Sequence, residues 1–348
     1  MSSTPIGIAP HLRIPTVRRA LGPKETADKL LPIQDLVGRW RGTGFNLIAR
    51  PDKQGGSPLF LELNQTEENL IFEAIGSPIP NRGFAQDDIE LAGVTYLQKI
   101  SDSVTGGALH IEPGIWVVQP NTSAPPEQPP AGAPADERIV ARMATIPHGN
   151  ALLAQGLAIP VASLPGGTFA IAPVNTAPFA VGATMPAPGT QGGFPPYDLA
   201  NVTPAAADFR TPFGDPSPVP LPASIDGVAM QAIINDPTRL LQAAIKGQFI
   251  EKMVVLEIGT VATLSQAGKT IPISLGAGGV ENMPFLQTNA DAVTVFATFW
   301  IETIKEGDGH FLQLQYVQTV LLNFPILGTA KNLSWPHVSV ATLRKIFG

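Results

Sequence analysis

From Leu36 onward, apolar and polar positions alternate in short runs separated by turn residues. The runs are 38–50, 58–76, 94–102, 108–120, 137–147 and 150–160, then, after a long interval, 250–264, 292–305, 311–324 and 335–345. Alternation with period two sends successive side chains to opposite faces, so each run predicts a strand. The 58–76 stretch, "PLFLELNQTEENLIFEAIG", reads as two strands about a polar turn, and "KEGDGH" (305–310) reads as a hairpin turn through its glycines. Many short strands with turns between them point to a barrel or a sandwich. No other partner remains for the edges of 38–50 and 335–345, so these two strands are expected to pair and close a barrel. The expected class is all-β, an antiparallel barrel of about ten strands.

Three stretches break the alternation. Residues 1–35 form an N-terminal extension in which "KETADKLLPIQDLV" has the makings of a short helix. Residues 123–136, "SAPPEQPPAGAPAD", are low-complexity and predict a surface loop. Residues 161–249 form a long Ala/Pro/Gly-rich insertion whose prolines cannot donate to a ladder. Yet Phe169, Ile171, Phe179, Phe194, Tyr197, Phe209 and Phe213 are too apolar to lie in water, so the insertion is expected to be ordered against the barrel. Near its end, "NDPTRLLQAAIKGQF" (235–249) predicts a helix with Asn235 or Asp236 as N-cap and Pro237 in the first turn. The chain therefore divides into the 1–35 extension and a single 36–348 barrel domain, with one or two short helices.

Composition narrows the function classes. Charged residues make up 14% of the chain and the net charge is −6, so nothing marks a nucleic-acid or anionic membrane surface. The chain has no cysteine, which excludes disulfides, thiolate metal sites and cysteine nucleophiles. No apolar run reaches a bilayer's thickness, and the first residues lack the charged-then-apolar order of a signal peptide. The expectation is a cytoplasmic protein that takes a small-molecule ligand, with no nucleic-acid or membrane partner and with homo-oligomerisation left open.

Five histidines carry most of the candidate chemistry. His337 heads the last strand, "WPHVSVATLRK" (335–345), and shares a face with Ser339, Ala341 and Leu343. It is either a polar cap at the strand end or a ligand whose small neighbours leave room for a flat group. His110 and Glu112, two apart, also share a face. The carboxylate either sets the imidazole tautomer or forms a structural pair closing a barrel end. His148 sits in the turn "IPHGN", where a position at the mouth would bring it over a ligand. His310 lies in a hairpin and reads as solvated, and His11 belongs to a basic N-terminal stretch. Gly42 marks close packing at a bend, and similarity to other barrels makes Trp40 the core tryptophan plugging the closed end. Asp87 and Asp88 diverge on a strand, "GAGG" lacks the context of a phosphate loop, and no nucleophile elbow or zinc helix occurs. No catalytic residue is assigned.

Three separated pieces, in shared order, resemble the nitrobindin family of haem-binding barrels, relatives of the lipocalins. "LVGRWRGTG" is similar to the opening strand, matching at Gly38, Trp40, Gly42 and Gly44; "LHIEPGIW" matches at His110, Glu112 and Gly114. The closing hairpin "FLQLQYVQTVLLNF…WPHVSVATLRK" places His337 where the family has its iron-ligating histidine. The resemblance implies haem b with His337 on the metal and Trp40, Gly42, His110 and Glu112 among the cofactor-binding residues. It also implies nitric oxide binding or chemistry on peroxide or peroxynitrite. The chain departs from the family in its length, about twice the usual, and in its central insertion. The alternative is a haem-free barrel that binds, or isomerises, an apolar small molecule or lipid in its cavity.

Overall fold

In the computed structural model, which describes residues 20–52, 57–120, 138–188, 222–266, 269–272, 276, 278–325 and 332–346, ten strands close on themselves. They are β1 (Gly38–Asp52), β2 (Ser57–Ala74), β3 (Ile89–Asp102), β4 (Ala108–Gln119) and β5 (Arg138–Ile146). The second half comprises β6 (Asn150–Val161), β7 (Phe249–Gly259), β8 (Asp291–Glu306), β9 (Gly309–Pro325) and β10 (Asn332–Ile346). Each pairs antiparallel with the next, and β10 returns to β1 in a register running from Arg39 opposite Ile346 to Leu47 opposite Val338. The expected closure is therefore observed. Gly42 makes it possible: a β-carbon there would fall 2.0 Å from the Thr342 carbonyl oxygen and 2.6 Å from the Leu343 α-carbon.

One end of the barrel is plugged. Helix α1 (Pro23–Lys29) leads through a turn into a 3-10 helix (Gln34–Leu36), and Leu30 and Ile33 of the turn with Leu36 join one apolar cluster with Trp40, Leu70, Val94 and Leu343. The Trp40 indole donates to the Leu36 carbonyl at 2.7 Å, and the Lys345 ammonium lies 5.3 Å over its ring. Trp40 is thus the plug its motif predicts. The turns at 103–107 and 147–149 lie at the opposite, open end, together with the starts of β8 and β10.

The wall is also covered from outside. Phe45, Leu47 and Leu63 point away from the interior and pack with Trp300, Val338 and Val340 against the segment joining β6 to β7. That segment contributes Ile171, Ile225 and two short helices, α2 (Met230–Asn235) and α3 (Thr238–Ala244), through Ile233, Ile234, Leu241 and Ile245. Phe169 is partly buried, its ring 5.9 Å from that of Trp300; Phe179 is partly buried beside its pairing to β10. Phe194, Tyr197, Phe209 and Phe213 fall outside the described residues, as does the 123–136 loop. A fourth helix, α4 (Pro284–Gln287), lies at the open end. No helix among the described residues is long and apolar enough to cross a membrane.

Two expectations change. The 58–76 stretch is one strand, β2, with no turn in it. Its polar run "NQTEEN" looks like a turn because strands usually face an apolar core, but here Asn64, Thr66 and Glu68 are buried polar residues. The helix expected over 235–249 is present but shorter, as α3 alone, and an unexpected α2 precedes it, the two separated at Asp236. The backbone there is extended, and the carboxylate accepts from the Thr238 hydroxyl at 2.7 Å and amide at 3.3 Å. Among the described residues there are four short helices where one or two were expected.

Between the barrel wall and the α3 side lies Glu302, fully buried, with one carboxyl oxygen taking a hydrogen bond from Gln313 at 2.7 Å and the other without a partner. Burial pushes this carboxyl up from 4.5 to about 8, the Gln313 bond opposing only in part. Its folded value lies above the ordinary one, so its contribution to stability is full below about 4.5 and is lost as pH rises towards 8. Glu302→Gln should raise the urea midpoint at pH 8 and leave it nearly unchanged at pH 4.5, measured by denaturation at both. An equal effect at the two pH values would contradict this.

Candidate functional site

Strand alternation and register bring a set of polar side chains together inside the barrel. From β2 comes Glu68, from β3 Tyr96 and Gln98, from β4 His110 and Glu112, from β5 Arg142, and from β9 Tyr316 and Gln318. Glu68, Glu112 and Arg142 are at most 2% exposed. A charge so far from water requires an opposite charge and saturated hydrogen bonds.

Arg142 meets that requirement in full. One terminal nitrogen donates to Glu112, the other to Gln318 Oε1 at 2.7 Å, and Nε donates to the Tyr96 hydroxyl at 2.9 Å. The Tyr96 hydroxyl in turn donates to Glu112. The rings of Phe299, Tyr96 and Trp116 surround the guanidinium at 5.5, 5.6 and 5.9 Å. Tyr96 lies across β4 because residue 114 is glycine: a β-carbon there would sit 2.5 Å from the ring. Burial pushes the Glu112 carboxyl up, but Arg142 and the bonds from His110 and Tyr96 outweigh it and bring it down to about 2. Burial, aided by Glu112, holds Tyr96 above the ordinary tyrosine value.

Glu68 shows the opposite behaviour. The Tyr316 hydroxyl lies 2.7 and 2.9 Å from its two oxygens, with Gln98 at 3.0 Å and Thr66 at 3.3 Å, but no cation pairs with it. Burial raises it to about 7 against those bonds. Two glutamates in one interior thus hold opposite protonation tendencies.

His110 is where this network reaches the open end. Its Nε2 is 3.3 Å from Glu112 Oε2, and its side chain retains 21% exposure. An ionised carboxylate only accepts, so Nε2 carries the proton and Nδ1 holds the lone pair. A slipped register between β3 and β4, in which Ile100 faces His110 and Ser101 faces Ala108, leaves Leu109 unpaired beside it. A cavity of about 570 Å³ opens here, lined by Lys99, Ile100, Ser101, His110, Pro147 and His148 among others. The His148 ring lies 6.2 Å from that of His110, and partial burial followed by His110 lowers its pKa.

The other expected site residues lie apart from this cavity. His337 is at the open end, partly buried, with Nε2 3.2 Å from the Ala49 carbonyl and its ring 6.3 Å from Phe324. Burial lowers it to about 4, the Ala49 bond opposing, so the ring is neutral at physiological pH. A neutral imidazole is the form that ligates iron, but with Nε2 donating to Ala49 only Nδ1 is free to do so. Trp40 lies at the plugged end, and Gly42 serves the contact between β1 and β10. His310 is exposed at the plugged end, 3.0 Å from Glu251, and His11 is outside the described residues. Among the described residues no three His, Asp or Glu side chains cluster to hold a metal. Sequence reasoning missed Glu68, Tyr96, Gln98, Arg142 and Tyr316. Their signal was phase: Arg142 stands between Val140 and Ala144 on the inward row of "RIVARMATI".

No protein-family model matches the chain, and no curated protein matches it. Among solved structures it is similar to the crystal structure of Rv2717c from M. tuberculosis, with 13% identity over 94% of this chain and 99% of that one. The TM-score is 0.37.

Removing one partner of a sealed ion pair leaves the other unpaired. Arg142→Met should cost about 3–5 kcal/mol in urea denaturation, and adding Glu112→Gln should recover part of the loss. A double variant no more stable than Arg142→Met alone would show that the pair is not the coupled unit described.

Proposed function

We propose that this barrel binds a small molecule at its open end, with an apolar body in the 570 Å³ cavity and a polar atom at His110. The carrying observation is the position of His110: it lines the cavity and is fixed by Glu112, itself held by Arg142 and Tyr96. Such a pocket, of ligand size and with the lone pair of His110 Nδ1 held in place, suits recognition of a compact molecule with a single hydrogen-bond donor. The network beneath it is already assembled, so binding need not order it.

A second reading is haem held by His337. What favours it is a neutral histidine at the open end of the last strand. Ligation there would use Nδ1, or Nε2 after release from Ala49. The peroxide, peroxynitrite and nitric oxide chemistry implied by the family resemblance belongs to this reading alone.

One pair of titrations separates the readings. Anilinonaphthalene sulfonate fluorescence should rise on binding to the native protein and fall several-fold in Ile100→Trp, which fills the cavity, with the circular dichroism unchanged. Hemin should give no stoichiometric Soret band that depends on His337. Unchanged dye binding in Ile100→Trp would overturn the first reading. A Soret band lost in His337→Ala would establish the second.

A further inference from the structure

The pair His110 and His148 has a geometry that ligand binding does not require. A metal–imidazole bond is about 2.0–2.1 Å, which puts the ion roughly 3 Å from the ring centroid. Two imidazoles sharing one ion therefore have centroids about 5 Å apart at a tetrahedral angle and about 6 Å apart when collinear. His110 and His148 are 6.2 Å apart, so a shift of the exposed His148 ring by about 1 Å brings both onto one ion. We propose that these two histidines form a divalent transition-metal site at the barrel mouth, with the remaining coordination positions open to the cavity.

Three further observations support the pair as ligands. First, Glu112 accepts from His110 Nε2, the carboxylate–histidine arrangement that orients a metal-binding imidazole and leaves Nδ1 for the ion. Second, His148 is exposed in its turn, so its ring is available to an ion. Third, the turn bearing His148 is held in place. Gly149 has a φ of +110° and packs so closely on Met283 and Leu286 that a β-carbon would lie 2.9 Å from the Met283 sulfur. The Met283 amide donates to the Gly149 carbonyl at 2.8 Å. Imidazole pairs suit zinc and copper among the divalent ions. Two protein ligands make an open site, whose other positions water or a small molecule fills.

The inference does not depend on the ligand reading, because metal alone tests it. Isothermal titration of the full chain with zinc chloride should show one ion per chain. His148→Ala, in an exposed turn, should weaken binding more than about ten-fold. His110→Ala should do the same, while His337→Ala, His310→Ala and His11→Ala retain binding. With one copper(II) ion added, electron paramagnetic resonance should show nitrogen splitting from two imidazoles in the native protein and from one in His148→Ala. Should His110→Ala fail to fold, His148→Ala and the copper spectrum still decide. The proposal is overturned if zinc does not bind, if binding survives in His148→Ala, or if it is lost in His337→Ala instead.

Discussion

The Glu112–Arg142 ion pair is the interaction around which the barrel interior is arranged. Both side chains are nearly without solvent, and neither could be charged there alone. Every neighbour follows from that constraint. Tyr96 bridges the two, Gln318 takes a further guanidinium hydrogen, and three aromatic rings face the remaining surface of the cation. His110 attaches to the outer carboxylate oxygen and so acquires a fixed tautomer at the edge of the cavity. The functional reading descends from this chain of contacts, because it makes a mouth histidine a positioned group and not a mobile one.

The barrel separates its tasks by height and by side. The plugged end is apolar, built from Trp40 and the segment before β1; the polar layer lies farther along, and His110, His148 and His337 lie towards the open end. On the outside, the segment between β6 and β7 covers the wall formed by β1, β2 and β8 to β10. This second apolar face lets those strands carry hydrophobes outward while their inward rows carry Asn64, Thr66, Glu68, Tyr316 and Gln318. A barrel with a solvated exterior could not combine those two patterns without exposing a large apolar surface.

The same double burial explains what was legible in the sequence. The strands from 94 onward and the closing pair could be read because alternation and glycine spacing report backbone geometry directly. The run "NQTEEN" could not be read as part of a strand, since a polar inward face imitates a turn. The His110–Glu112 pair was visible from a spacing of two on one strand. Arg142, Tyr96 and Glu68 were not, because they meet only after β2, β3 and β5 are aligned by the closed register, a long-range fact with no local signature. His148 was legible as a turn residue, but its approach to His110 depends on the β3–β4 slip and on α4 bracing the turn.

Central to this account is that two glutamates in one interior hold opposite protonation tendencies. Carbon-13 NMR of side-chain carboxyls, titrated with pH and assigned through Glu68→Gln and Glu112→Gln, measures this directly. Glu112 should remain ionised at about pH 4, where exposed glutamates are taking up protons. Glu68 should titrate near its value of about 7. If both carboxyls titrate together in the ordinary range near 4.5, the sealed ion pair and the protonated neighbour are both contradicted.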